Sequence, residues 1–264
     1  MNFINSLPEW HIYYLFPIGS LIILALLSLF FRYFNITKNP DDYDADVLDT
    51  ATQNSLSATF VILGFTLVLV MGTSDTIDNN LVVEASRIES LDRLLYIEGS
   101  PESKKMRQDL KKYTQSIIDD EWPLLAKGAG SPKTREYLNV LLNDVHKLRP
   151  TDLKSVMLFS AITTKADEIA LSRETRILAS KNSLPPLFWN ISFALLFGVL
   201  IIASLRLSKT TPLRAIALSV QIVMLSLIYV NVMILDLPYK GDTRANPQVI
   251  IKTIHSIDLR NSST

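Results

Sequence analysis

The most unusual spacing in the chain belongs to Thr52, Ser55, Thr59, Ile62, Thr66, Leu69 and Thr73, which follow one another at alternating steps of three and four. That rhythm places them on one face of an α-helix. Hydroxyls interrupted by Ile62 and Leu69 suit a water-filled path with apolar constrictions, which can close by dewetting. The same hydroxyls can bond back to carbonyls of their own helix or to neighbouring helices. The spacing alone leaves both readings open.

Other candidates for chemistry are sparse. Asp41, Asp42, Asp44, Asp46 and Asp49 form an acidic run in what reads as a short loop over 32–55. Asp42, Asp44 and Asp46 copy the first three ligands of an EF-hand loop. Val47 then stands where that loop needs glycine, and Gln53 where it needs glutamate, so the match fails and a solvated acidic loop is expected. Glu121-Trp122-Pro123 puts a tryptophan beside a proline at a helix end, which reads as a packing anchor. The three histidines, His11, His146 and His255, share no ligand spacing, and cysteine is absent, which removes thiolate metal sites, cysteine nucleophiles and disulfides together. None of the eight glycines forms a phosphate-binding pattern. No catalytic set emerges and no cofactor or metal is implied, so the reading is not an enzyme. Basic and acidic residues balance at 26 each, and no basic stripe points to nucleic acid.

The elements that position these residues are clearer. Ile12–Phe31, Leu56–Gly72, Leu187–Leu205 and Ala215–Leu235 have charge-free interiors. About 20 apolar residues wound as a helix match the hydrocarbon thickness of a bilayer. Trp10, Tyr13, Tyr14 and Tyr33 bracket the first run like interfacial aromatics, and no small-residue cleavage site follows it, so it reads as a retained anchor. Gln221, Asn231 and Asn190 are polar groups near membrane depth, expected to bond between helices.

Between the second and third spans the pattern is helical throughout. Ser100-Pro101-Glu102, Ser131-Pro132 and Thr151-Asp152 are start signals. Ile88, Leu91 and Leu95, then Leu138, Leu141, Leu142 and Val145, then Val156, Phe159, Ile162, Ala166 and Ile169 recur at helical spacing. The expected fold is therefore an all-α membrane protein. Four transmembrane helices carry a helical soluble domain inserted between the second and third, built from extensions of those spans plus two packed helices. The divisions fall at 1–73 for the first two spans, 74–183 for the soluble domain, 184–236 for the last two spans and 237–264 for a tail. Pro247–Leu259 in that tail predicts one further helix, at the membrane surface or under the domain. A tight loop, Arg206–Arg214, joins the last two spans and carries Arg206, Lys209 and Arg214. With Arg32 and Lys38 these charges argue for cytoplasmic short loops, while Arg173, Arg176, Lys181, Lys240 and Arg244 argue for the opposite side.

Several short motifs follow one another in a set order. They are Leu63-Gly64-Phe65, Val83-Glu84-Ala85, Tyr113 with Glu121-Trp122-Pro123, Leu184-Pro185-Pro186-Leu187, and a closing Asp236, Pro238, Tyr239, Gly241 and Pro247. Over roughly residues 55–255 this series resembles the bestrophin-like group of four-span membrane proteins of bacteria and plants. The resemblance implies distant kinship with the bestrophins, which are pentameric anion channels whose second span lines the pore with an apolar neck of side chains four residues apart. Val61, Phe65 and Leu69 have that spacing, on a face that shares only Leu69 with the hydroxyl stripe. The bestrophin calcium clasp has no matching acidic run near this C-terminus, so calcium gating is not carried over. The kinship implies cytosolic termini and hence a cytoplasmic soluble domain, in a plasma membrane such as the bacterial inner membrane. The expectation is a homo-oligomer, a pentamer by kinship, that sits in lipid and passively conducts small anions such as chloride. The alternative is a non-conducting membrane scaffold or sensor acting through its helical soluble domain.

Overall fold

The structure is a computed structural model that describes residues 9–34, 42–150, 153–181, 183–207, 211–236, 239 and 245–262. Among these residues the regular elements are all helical. They are α1 (Glu9–Tyr33), α2 (Asp42–Glu98), α3 (Pro101–Ser116), a π-helical turn (Ile117–Glu121), α4 (Trp122–Leu125), α5 (Pro132–Lys147), α6 (Leu153–Ala179), α7 (Pro186–Leu207), α8 (Pro212–Leu235) and α9 (Gln248–Ser262). Four of them, α1, α2, α7 and α8, are long and apolar enough to cross a membrane.

Residues 1–72 and 183–236 form one compact unit, and residues 73–182 and 237–264 form another. The chain passes between them inside α2, whose 57 residues extend about 85 Å at the helical rise. In the membrane unit α1 packs on α7 and α8. Its core joins Leu24, Leu56, Leu63, Leu196, Leu200, Ile222, Leu225 and Tyr229. A second cluster gathers Val70, Leu184, Trp189, Val232 and Met233.

The helical unit has a conventional apolar core, with Ile88, Leu91, Leu95, Leu110, Leu141, Val145, Ile162 and Ile169 fully buried. Most of the apolar positions spaced for this core are inside; Leu142 and Phe159 are half-buried and Val156 lies exposed. Two of the expected start signals are present as geometry. The Ser100 hydroxyl accepts from Ser103 N at 3.1 Å, and the Ser131 hydroxyl from Thr134 N at 3.3 Å, each ahead of a proline at the first helical position. The Thr151-Asp152 signal lies outside the described residues. Gly99 closes α2 in the left-handed region, φ +75°, where a side chain would be strained.

Two expectations need correcting, and the place of the tail helix, left open by the sequence, is settled. The acidic run is not a loop where it is described: Asp42, Asp44, Asp46 and Asp49 lie in the first turns of α2, and Asp41 lies outside the described residues. The third span does not continue the soluble helix before it. Pro185 stands just before α7 and Pro186 opens it, and the chain leaves the helix after Ala179 before the span begins. The tail helix α9 packs into the helical unit, with Ile250 and Ile257 fully buried in its core. Arg260 Nε reaches Asp92 at 2.6 Å and Lys111 Nζ reaches Asp258 at 2.5 Å, which ties the same helix to α2 and α3.

Candidate functional site

Three groups of polar or exposed residues stand out, two in the membrane unit and one in the helical unit. The first is the segment of α2 that spans the membrane. Its buried edge reads Thr52, Leu56, Thr59, Leu63, Thr66 and Val70, again at steps of four and three. The threonine hydroxyls donate to carbonyls one turn back: Thr52 to Leu48 at 2.7 Å, Thr59 to Ser55 at 2.7 Å, and Thr66 to Ile62 at 2.8 Å. Each hydroxyl thereby satisfies itself where no water is at hand. The members of the hydroxyl stripe part company. Thr59 and Thr66 face the core, while Ile62, Leu69 and Thr73 are exposed. The other face shared by the expected neck is open: Val61 is 57%, Phe65 74% and Leu69 61% exposed.

Of the other polar groups near membrane depth, Asn231 makes the expected bond between helices. Asn231 accepts from the Tyr13 hydroxyl at 3.0 Å and donates to Leu227 O at 2.9 Å, and Asn190 is exposed. At the far end of α8, the Asp236 carboxylate accepts from Leu184 N at 2.6 Å and from Trp189 Nε1 at 3.1 Å. That clamp holds the beginning of α7 to the end of α8, a positioning role for the first residue of the closing motif. Pro238 and Gly241 of that motif lie outside the described residues.

The second group lines a cavity of about 290 Å³ in the membrane unit, where α2, the last turn of α7 and the first turns of α8 meet. Arg206 grips Asp49 through two nitrogens, Nε at 2.5 Å and Nη2 at 3.0 Å. Arg214 stands 3.7 Å from the same carboxylate, and Gln53 and Gln221 complete the polar lining. Arg206 and Arg214 belong to the helix ends themselves, so the connection between the spans is shorter than the loop expected at 206–214; Lys209 lies outside the described residues.

The third group is a network of charges inside the helical unit. Glu84, Glu121, Arg173 and Arg176 are almost wholly buried. Glu121 sits at the end of the π-helical turn, an insertion that interrupts the regular ladder of hydrogen bonds just before Trp122 and Pro123. Its carboxylate accepts from Arg173 Nη2 and Arg176 Nη2, each at 2.5 Å, and from Ser131 N at 2.9 Å. Arg176 also binds Glu84, and the Tyr113 hydroxyl completes Glu84 at 3.4 Å. Burial, reinforced by the charge of Glu84, pushes the Tyr113 phenol above its ordinary range. Burial also opposes the charge on Arg176, but its neighbours, Glu84 foremost, overcome that and hold the guanidinium above its ordinary value. The Trp122 and Tyr239 rings meet edge to face beside this network, their centroids 5.6 Å apart. Gly130 is required here: a Cβ would come within 2.6 Å of Ile177 Cδ1 and 3.1 Å of Arg173 Nη2.

Glu84, Tyr113, Glu121, Trp122 and Tyr239, all members of the motif series, are thus brought to one place. Arg173 and Arg176 had drawn notice only as charges flanking a span. Their signal was in the spacing, because they continue the buried rhythm of Ile162, Ala166 and Ile169 at steps of four and three. A charge at such a position is a buried charge, and a buried charge needs a partner. The arrangement sets two cations on two carboxylates and suits holding helices together. Among the described residues no group of His, Asp and Glu is placed to share a metal ion.

Comparison with known proteins gives the same architecture. A family model described as a Bestrophin-like domain matches residues 20–250. Two crystal structures, each described as that of a membrane protein, are similar in fold. One has a TM-score of 0.63 at 10% identity and covers 94% of this chain and 97% of its own. The other has a TM-score of 0.58 at 14% identity, with 92% and 96% covered. No curated protein matches the sequence.

Proposed function

The chain belongs to the bestrophin-like family, and from that premise we propose that it is an oligomeric membrane channel passing small anions such as chloride down their gradient. The observation that carries this reading is the open face of α2. Val61, Phe65 and Leu69 project from the protomer at one-turn intervals, while the opposite edge of the same helix is packed. Copies arranged around an axis, five by kinship, would turn these side chains inward as an apolar neck that gates by dewetting. The threonines then serve the packing of the protomer rather than the path. Discrimination among anions would follow from neck width and lining dipoles, since no ring of basic side chains lies along that face. The protein would sit in a plasma membrane with its helical unit in the cytoplasm.

The test is chloride flux from liposomes holding the purified protein in both orientations. Flux above that of empty vesicles, raised in Phe65→Ala at unchanged melting temperature, is the expected result. No flux in either orientation would sink the channel and leave the scaffold or sensor reading, in which the helical unit does the work.

A further inference from the structure

The cavity at the end of α2, α7 and α8 plays no part in the neck, and its chemistry points to a ligand. It opens where the apolar spans stop, at Leu207 of α7 and Pro212 of α8, which is the level of lipid headgroups. Its lining carries two guanidiniums against one carboxylate. Asp49 is spent on Arg206, which it holds through two hydrogen bonds with the side chain 6% exposed. Asp46, one turn earlier, also acts on Arg206. The cation left to meet a ligand is Arg214, whose side chain is 60% exposed and whose 3.7 Å approach to Asp49 is too long for a hydrogen bond. The Gln53 and Gln221 amides stand in the same lining. Arg214 lies in the first turn of α8, at the positive end of a 24-residue helix whose Thr211 N-cap makes no side-chain cap bond.

We propose that this cavity binds the phosphate of an anionic phospholipid headgroup, with Arg214 as its principal donor and Gln53 and Gln221 as neutral donors. The guanidinium fork matches phosphate oxygens in pairs. A lipid, rather than a free anion, is the occupant because the site continues into apolar surface. Leu213, Ile216 and Val220 of α8 are exposed on the helix face beside the cavity's Ala217 and Gln221, an apolar surface that would take an acyl chain. Gln53 precedes Val61 by eight residues, about 12 Å of α2, so an occupied site braces the helix whose open face is the proposed neck. The site itself does not depend on conduction.

Native mass spectrometry of the intact protein, titrated with phosphatidylglycerol, phosphatidic acid and phosphatidylcholine, reads it directly. The two anionic lipids should add in excess of the zwitterionic one. Arg214→Gln should lower their affinity about tenfold, the loss of one charge-assisted set of bonds, while leaving phosphatidylcholine adducts as they were. Gln221→Leu should give a smaller loss in the same direction. Arg214 and Gln221 are exposed, so the variants should melt with the native protein, which separates lost binding from lost folding. Equal adducts of all three lipids, or no change in Arg214→Gln, would overturn the proposal. Displacement of the lipid by millimolar inorganic phosphate would overturn the lipid as the occupant.

Discussion

In the membrane unit the buried polar side chains of α2 are hydroxyls, each bonded to a carbonyl four residues earlier on its own helix. In the helical unit the buried polar side chains include charges: two glutamates and two arginines drawn from α2, the π-helical turn and α6, and Asp92 of α2 paired with Arg107 of α3. The difference follows from the solvent. A group in hydrocarbon that loses its partner finds no water to replace it, so a bond within one helix is the safe solution. A water-facing unit can bury charges if every one is met, and the charges then hold together helices that are distant in sequence. The transmembrane stretch of α2 is therefore tolerant of polar deletions and sensitive to apolar ones, whereas the helical unit has a polar point of failure at Glu121, which two buried arginines share.

Glu121→Ala should break that point. It leaves Arg173 and Arg176 without their shared partner, and removing one member of a buried network costs about 3–5 kcal/mol. Unfolding of the full chain in detergent, followed by helical signal, should show that loss; a cost within error of zero would end the contrast between the units. Leu63→Ala and Phe65→Ala sharpen it inside one helix, two residues apart. Leu63 is 1% exposed, and its truncation should cost about 2–4 kcal/mol, whereas Phe65→Ala should stay within about 0.5 kcal/mol. Equal costs would mean that Phe65 is packed against something in the assembled protein.

Thr66→Val keeps the shape and deletes a hydroxyl that only bonds its own helix, so it should cost less than about 1 kcal/mol and leave flux unchanged. A large effect on flux would return the threonine face to the path. The smallest expected effect is at the surface. Lys105 donates to Asp144 at 2.7 Å and holds that carboxyl below its ordinary value of 3.8. A lowered folded value means that the stability it contributes is present above 3.8 and is lost as pH falls through the folded value. Lys105→Met should lower melting slightly at neutral pH and flatten the loss of stability in acid by the same small amount. An unaltered acid limb would assign that dependence to other carboxylates.

Much of this was open to a reading of spacing and composition. The four spans follow from windows without charge, and the Ser100 and Ser131 caps from hydroxyls ahead of proline, because these are local properties of helices. The start of α2 was misread because acidic residues suit a loop and a helix N-terminus equally well, and only the hydrogen-bonded turn distinguishes them. Glu84 in the rhythm of Ile77, Leu81, Ile88 and Leu91, like Arg173 and Arg176 after Ile169, was legible as a set of buried charges. Which charge met which was not. Glu84 and Arg176 are 92 residues apart, and nothing in helical periodicity relates two helices to one another. The same holds for the face of α2. The sequence by itself determined that a helix of this length and composition crosses a membrane and continues beyond it. Only the packing of α1, α7 and α8 decided that Thr52, Thr59 and Thr66 turn inward and Phe65 outward, because a helix fixes the angles between its own side chains and leaves its rotation to its neighbours.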